Sequence, residues 1–323
     1  MASTYLTLVN NVLRDMNEVE LTSSNFTSSR GVQTTVKDYI NRAISDILNS
    51  ELNWPFTRAE GSVDAIAGKQ LYSFASIAST LKYIDYDNVF LQPKDYIRNG
   101  DFEIAGSASI TNWTTVSGTP AASSKFGNTL LLTSAKATQQ VDDLIVGKSY
   151  VVLVQTSGST LTLDIGTSSG GTQTKSSTLT IASGNEVLLS EITFTATATT
   201  HYVTFTESAG SAAFVKLVQL MENITAIPLK YLSYEEYNER YRERDTRPDT
   251  DKFADPEFVY TTYNDELGLT PIPDTSNRTL KFDYYVTNTD LSAHDDTGII
   301  PTRFESIVNA RAKYYTYMFR SDV

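Results

Sequence analysis

No arginine occurs between positions 99 and 222, although 13 arginines flank that block, from Arg14 to Arg98 and from Arg240 to Arg320. Only Tyr150 and Tyr202 of the 19 tyrosines fall inside it, together with 11 of the 16 glycines and a dense Ser/Thr content. Two compositional regimes in one chain imply two folding units, with the middle one nested in the outer one. The expected division is 1–98 and 223–323 for a shared outer unit and 99–222 for the insert. A length of 323 residues suits about two domains and can bury a core without staples.

The insert reads as strands. Leu130-Leu131-Leu132-Thr133, Ser149-Tyr150-Val151-Val152-Leu153-Val154, Leu161-Thr162-Leu163-Asp164-Ile165, Glu191-Ile192-Thr193-Phe194-Thr195 and His201-Tyr202-Val203-Thr204-Phe205-Thr206 are β-branched or alternating runs. Turn clusters such as Ser168-Ser169-Gly170-Gly171 separate them. Short strands at this spacing predict an all-β sandwich of jelly-roll type.

The outer segments are mixed. Leu6, Val9 and Leu13 recur at helical spacing, as do Val32, Val36, Ile40, Ala43, Ile44, Ile47 and Leu48, with Pro55 closing the run. Pro301 fits a first helical position, ahead of a stripe of Phe304, Ile307, Val308, Arg311, Tyr315 and Met318. Strands are predicted at 71–74, 81–91, 258–263 and 280–286, and Ser233 is placed to cap a short charged helix through Arg244. The fold expected is α+β: helices from both chain ends packed together and clamping a small antiparallel sheet, plus the inserted sandwich.

Composition excludes much chemistry. There is no cysteine, which removes disulfides, thiolate metal sites and a cysteine nucleophile. Two histidines, His201 and His294, cannot build a three-histidine site. No run of 18 apolar residues appears and the first 17 residues lack a signal-peptide pattern, so a soluble protein with no membrane partner is expected. The net charge of −12 repels phosphate rather than attracting it.

The remaining candidates have plainer readings beside them. Glu235-Glu236, Asp142-Asp143 and Asp295-Asp296 are adjacent acids that point in different directions, unlike a hydrolytic carboxylate pair. His294-Asp295-Asp296 has no nucleophile elbow to serve and reads as a surface turn. His201, between Thr200 and Tyr202, reads as a half-exposed strand residue. Arg240, Arg242, Arg244 and Arg247 are interleaved with Glu239, Glu243 and Asp245, which predicts a salt-bridged helix face rather than a nucleic-acid patch. Metal could enter only as calcium through oxygen ligands, near Asn99-Gly100-Asp101, as a structural ion in the sandwich. Seventeen tyrosines crowd the outer unit, and pairs such as Tyr284-Tyr285 and Tyr314-Tyr315 must aim one ring to each side, which suits an oligomer contact.

Several outer motifs resemble a known family. Tyr5-Leu6-Thr7-Leu8-Val9-Asn10-Asn11-Val12-Leu13-Arg14, Trp54-Pro55-Phe56, Gly268-Leu269-Thr270-Pro271-Ile272-Pro273-Asp274, Phe282-Asp283-Tyr284-Tyr285, Ile300-Pro301-Thr302-Arg303-Phe304-Glu305 and Tyr317-Met318-Phe319-Arg320 resemble head-to-tail adaptors of short-tailed phages, of the tail tubular protein A type. The insert resembles carbohydrate-binding modules through Asn99-Gly100-Asp101-Phe102-Glu103, Trp113, Gly127-Asn128-Thr129-Leu130 and Gly147-Lys148-Ser149-Tyr150.

These resemblances imply a virion structural protein with no enzymatic activity, at the head–tail junction, assembled in the bacterial host cytoplasm. They imply a ring of twelve copies between the portal protein and the tail nozzle or tail tubular protein, with tail fibres as a further partner. Double-stranded DNA would pass through without specific binding. The expected portal or tail contacts are Arg303, Arg311, Tyr314, Tyr315, Phe319 and Arg320, with Phe304, Ile307, Val308 and Met318 turned inward. The family pattern also implies a further helix after Phe319-Arg320. In the rival reading the sandwich binds glycans, with Trp113, Tyr150 and Tyr202 as facing aromatics, although all three suit the core better.

Overall fold

The computed structural model describes residues 3–51, 53–180, 188–248 and 250–321. Six helices are α1 (Tyr5–Asp15), α2 (Val32–Asn49), α3 (Phe74–Ile77), α4 (Tyr234–Arg240), α5 (Arg242–Thr246) and α6 (Glu305–Ser321). Helices α1, α2 and α6 bring the two chain ends together. The Thr4 hydroxyl oxygen accepts from the Thr7 N–H and caps α1, and a stripe of Tyr5, Leu8, Val9, Val12 and Leu13 faces inward. On α2 the stripe is Val36, Ile40, Ala43, Ile44 and Leu48. Each large apolar side chain buried here contributes about 1.5–3 kcal/mol. The Trp54 indole N–H donates to the Ile47 carbonyl at 3.0 Å, securing the exit of α2 before Pro55 opens a 3-10 turn. Pro301 precedes a 3-10 turn, Thr302–Phe304, and α6 begins only at Glu305, later than the proline position predicts.

The rest of the outer unit departs from the expected small sheet. One four-stranded sheet runs β1 (Arg58–Ala65), β20 (Arg278–Val286), β3 (Leu81–Pro93), β16 (Ile227–Pro228). A second runs β17 (Lys230–Leu232), β18 (Phe258–Thr261), β19 (Glu266–Thr270), β2 (Leu71–Ser73). Between them lies a core of Tyr72, Ile84, Val89, Leu91, Val259, Leu267, Leu269, Leu280 and Phe282. It is distinct from the helical core built on α1, α2 and α6. The α+β expectation of a helical core clamping a small sheet is therefore wrong: the described residues are dominated by strands, in five sheets.

The unforeseen strands β1 and β19 explain the error. Each carries a glycine where a partner ring lies against the backbone. A Cβ at Gly61 would sit 2.6 Å from the Phe282 ring, and one at Gly268 would sit 2.2 Å from the Tyr260 ring. Such close approach demands glycine, and a glycine within a short run weakens the strand signal of Ala59, Val63 and Ala65 in β1 and of Leu267 and Leu269 in β19.

The insert contains two five-stranded antiparallel sheets. One runs β13 (Leu188–Thr195), β10 (Ser149–Gly158), β15 (Ala213–Glu222), β8 (Thr129–Leu132), β7 (Ala121–Ser123). The other runs β12 (Lys175–Leu179), β11 (Leu161–Gly166), β14 (His201–Thr206), β9 (Lys136–Val141), β6 (Thr114–Ser117). A short hairpin, β4 (Glu103–Ile104) and β5 (Ser107–Ala108), precedes them. Their shared core includes Phe102, Trp113, Tyr150, Phe194 and Phe205.

The chain leaves the outer unit after β3 and returns through β15 to pair β16 with β3, Ile227 opposite Leu91. The two crossings touch. One oxygen of the Asp95 carboxylate accepts from the N–H of Ile97 and of Leu220, each at 3.0 Å, and the Tyr96 N–H donates to the Leu220 carbonyl at 2.8 Å. Glu222, 3% exposed, accepts from the Asn277 amide and lies 3.7 Å from the Lys148 ammonium.

Candidate interaction surface on the terminal helix

Helix α6 has two apolar faces. The inward face is narrow and carries small residues: Val308 is 1% exposed, and Ala312 and Thr316 are 0% exposed. The Thr316 hydroxyl donates to the Ala312 carbonyl at 2.8 Å, which satisfies it inside the contact with α2. Small side chains at helical spacing let the two axes approach.

Around this contact, charged and aromatic groups tie α6 to its neighbours. The Tyr315 hydroxyl donates to the Asp46 carboxylate, which also accepts from the Arg311 guanidinium at 3.3 Å. These donors, the tyrosine first, hold the Asp46 carboxyl below the usual carboxylate range. The Arg311 guanidinium lies 4.8 Å from the centre of the Tyr315 ring, and that of Arg42 lies 4.4 Å from it. Lys313 pairs with Asp15 at 3.1 Å and Arg320 pairs with Glu18.

Large apolar side chains also remain half-exposed on α6. Ile307 is 53% exposed, Tyr314 51%, Tyr317 50%, Met318 48% and Phe319 47%. Ile307, Arg311, Tyr314 and Met318 stand four, three and four residues apart, which places them on one helical stripe. Ile307 and Met318 were expected inside, and the structure reverses that. The sequence stripe favoured the largest side chains, whereas packing against α2 selected Val308, Ala312 and Thr316.

The six residues expected at a portal or tail contact divide accordingly. Arg311, Tyr315 and Arg320 are engaged within the chain. Arg303 is exposed and stacks on Phe304 at 4.9 Å. Tyr314 points outward, whereas Phe319 continues the inward row of Val308, Ala312 and Thr316, half-exposed near the helix end with its ring 6.5 Å from Tyr39. Ile307, Tyr317 and Met318 complete the surface, and their spacing was the signal available for them.

The sandwich offers no comparable aromatic face from the three candidates. Trp113 is 7% exposed and its indole N–H donates to the Asn99 carbonyl at 3.2 Å. Tyr150 is 0% exposed, and its hydroxyl oxygen accepts from the Ile145 N–H at 2.9 Å. Tyr202 alone is half-buried, donating to the Gln140 side chain at 3.0 Å.

Near Asn99-Gly100-Asp101, the Asn99 amide donates to the Ser109 and Thr111 carbonyls, while Asp101 accepts from the Glu103 N–H. Among the described residues no three His, Cys, Asp or Glu gather to hold a metal, so these residues fit a turn better than a carboxylate cage for calcium.

His201 is 0% exposed rather than half-exposed. It shares parity with Val203 and Phe205 on β14, which turns its ring into the core, 5.6 Å from Phe194. Burial pushes its pKa below the ordinary histidine value. His294-Asp295-Asp296 forms a turn against α1, with the Asp296 carboxylate accepting from the N–H groups of Ser292 and Ala293. Three of the four clustered arginines are salt-bridged, Arg240 with Glu236 at 2.8 Å, Arg247 with Glu243 at 2.6 Å and Arg244 with Asp245 at 2.9 Å, while Arg242 donates to the Asn238 side chain at 3.5 Å. Ser233 caps α4 as expected, but the charged segment breaks at Tyr241 into α4 and α5.

Comparison with known proteins gives two kinds of likeness. No curated protein matches the sequence. Among solved structures, the enzymatically active domain of bacteriophage CBA120 tailspike protein 4 is 16% identical with a TM-score of 0.32, covering 40% of this chain and 21% of that one. The carbohydrate-binding module TmCBM61 in complex with β-1,4-galactotriose is 18% identical with a TM-score of 0.32, covering 40% of this chain and 99% of that one. The module CBM36 in complex with calcium and xylotriose is 12% identical with a TM-score of 0.27, covering 34% and 93%. Residues 179–323, from the end of β12 through α6, match the family model of the SU10 adaptor protein, a phage adaptor, so the part of the chain that carries the outward stripe is similar to an adaptor.

Proposed function

We propose that this chain is a structural component of a phage virion, an adaptor at the head–tail junction, and that it performs no chemistry. The observation that carries the reading is the adaptor-family match over residues 179–323, a stretch that includes helix α6 with Ile307, Tyr314 and Tyr317 half-exposed. Twelve copies form a ring, bound on one side to the portal protein and on the other to the tail nozzle or tail tubular protein, with tail fibres as a further contact. The exposed side of α6 is the portal-facing surface, with Tyr314 and Tyr317 as anchors, Phe319 at its inner edge and Arg303 at its start. Aromatic anchors of this kind typically contribute about 2 kcal/mol or more each to an interface.

A net charge of −12 per chain gives such a ring an acidic wall past which DNA moves without adhering. Assembly takes place in the cytoplasm of the bacterial host. The insert decorates the ring and takes no part in the portal contact.

The test is assembly on purified portals. Wild-type protein is expected to bind portals, and Tyr314→Glu and Met318→Glu are expected to abolish binding while keeping their circular dichroism. Failure of the wild type to bind would refute the adaptor reading. Normal binding by both variants would remove α6 from the contact.

A further inference from the structure

Three polar side chains meet where the insert joins the outer unit, and together they carry the groups needed to form an amide bond. Glu222, the last residue of β15, is buried. One oxygen of its carboxylate lies 3.7 Å from the ammonium of Lys148, in the insert. The other oxygen accepts from the side-chain amide of Asn277, a buried residue of the outer unit. One carboxylate therefore holds an amine and a carboxamide that come from different units. The Thr275 hydroxyl donates to the Asn277 side-chain carbonyl at 2.5 Å and polarises it.

The surroundings suit a reaction between them. Tyr150 stands opposite Glu222 in the β10–β15 register, and the Tyr96 ring packs on the Tyr150 ring with centroids 5.8 Å apart. Hydrogen bonds and charges act more strongly in such a sheltered place than in water. The backbone is fixed on both sides. The Lys148 carbonyl accepts from the Ala196 N–H at 3.0 Å, and the Asn277 carbonyl accepts from the Lys94 N–H at 2.9 Å. The Lys148 side chain itself is more than half exposed, so its stem can swing the amine to the distance of about 3–3.5 Å at which addition to a carbonyl carbon begins.

We propose that Lys148 and Asn277 become joined by a side-chain amide bond, with Glu222 carrying the protons and Thr275 holding the developing oxyanion. The Glu222 carboxylate takes a proton from the Lys148 ammonium, and the freed amine adds to the Asn277 Cγ, forming a C–N bond and a negative Oδ1. Glu222 gives its proton to Nδ2 and takes the second proton from the attacking nitrogen. The Cγ–Nδ2 bond breaks with its electron pair, and ammonia leaves, carrying the last proton away as ammonium. One ammonium and one carboxamide thus become one secondary amide and ammonium, without oxidant or co-reactant.

The bond crosses from the insert to the outer unit and locks the sandwich against forces that would pull it away. It forms once per chain and transforms no other molecule. It rests on the junction alone and stands or falls apart from the adaptor reading.

The test is the intact mass of purified full-length protein, followed by peptide mapping under denaturing conditions. The 35.7 kDa chain should be lighter by one ammonia, and digestion should release a branched peptide that joins Lys148 to Asn277. Lys148→Arg keeps the positive charge beside Glu222 but cannot form the bond, and should show the full mass. Asn277→Asp should lose water in place of ammonia. Glu222→Gln should slow the coupling by about 10²-fold or more. Full mass in the wild type overturns the proposal. A loss of ammonia that survives in Lys148→Arg comes from an asparagine closing on its own backbone, and overturns it as well. Coupling at the wild-type rate in Glu222→Gln overturns the role given to that carboxylate.

Discussion

The two regions of this chain use their aromatic residues in opposite ways. In the insert, Phe102, Trp113, Tyr150, Phe194 and Phe205 are all enclosed in one core. In the outer unit, Tyr83, Tyr231, Tyr263, Tyr314, Tyr317 and Phe319 keep between 39% and 76% of their surface in solvent. Burying a ring stabilises a fold, whereas leaving a stripe of rings on a helix is a liability unless something covers it. The difference teaches where this molecule should be expected to make contacts: in the outer unit, above all on α6, rather than on the sandwich.

Substitutions sharpen the contrast. Trp113→Ala should have the largest effect, destabilising the sandwich by about 3–5 kcal/mol through loss of a buried ring and the cavity left behind. Tyr314→Ala, on the exposed stripe, should change stability by less than about 0.5 kcal/mol. Denaturant titration of both variants checks the comparison, and equal losses would break it.

A second prediction concerns separability. Replacing residues 99–222 with a short Gly/Ser linker should leave a folded outer unit, because the helical core and the core between the outer sheets are built without insert side chains. A moderate drop in melting temperature is expected from loss of the contacts at Asp95 and Glu222. A chain that loses its helical circular dichroism would show that the two regions are one unit.

The next effect is smaller and depends on pH. His201 is buried uncharged, with its pKa lowered in the folded state, so the unfolded chain takes up a proton more readily as pH falls below about 6.5. Its contribution to stability is therefore present above that pH and lost as pH falls toward the folded value. Wild type should lose melting temperature more steeply between pH 6.5 and 5 than His201→Gln does. The two slopes should agree above pH 7. Identical slopes throughout would contradict the assignment of His201 to the core. Least affected should be Arg311→Ala: its partner Asp46 is partly exposed, and surface pairs contribute little, so the melting temperature should move by less than about 2 °C.

How much of this was readable from sequence also differs between the regions. Five sandwich strands, β8, β10, β11, β13 and β14, are β-branched or alternating runs that the sequence exposes, whereas β6, β7, β9, β12 and β15 do not stand out as such runs. The polarity of His201 suggests exposure, but its parity with Val203 and Phe205 on β14 places it inside. In the outer unit, β1 is an edge strand in which Arg58, Glu60, Ser62 and Asp64 alternate with Ala59, Gly61, Val63 and Ala65, and small residues on the inward side make that alternation faint. On α6 the residues that pack, Ala312 and Thr316, are those a search for large apolar side chains passes over. The stripe that remained visible was the one left outside. The pairing of Arg311 and Tyr315 with Asp46 crosses from one end of the chain to the other, and no local pattern announces it.

The central claim is that the outer unit, through α6, makes the contact with a connector partner, and that the sandwich does not. The direct measurement is binding of the chain lacking residues 99–222 to purified portals, followed by sedimentation. Portal binding equal to that of the full chain, lost on Tyr314→Glu, is the predicted result. Loss of binding by a folded outer unit, with the isolated insert binding instead, would contradict it.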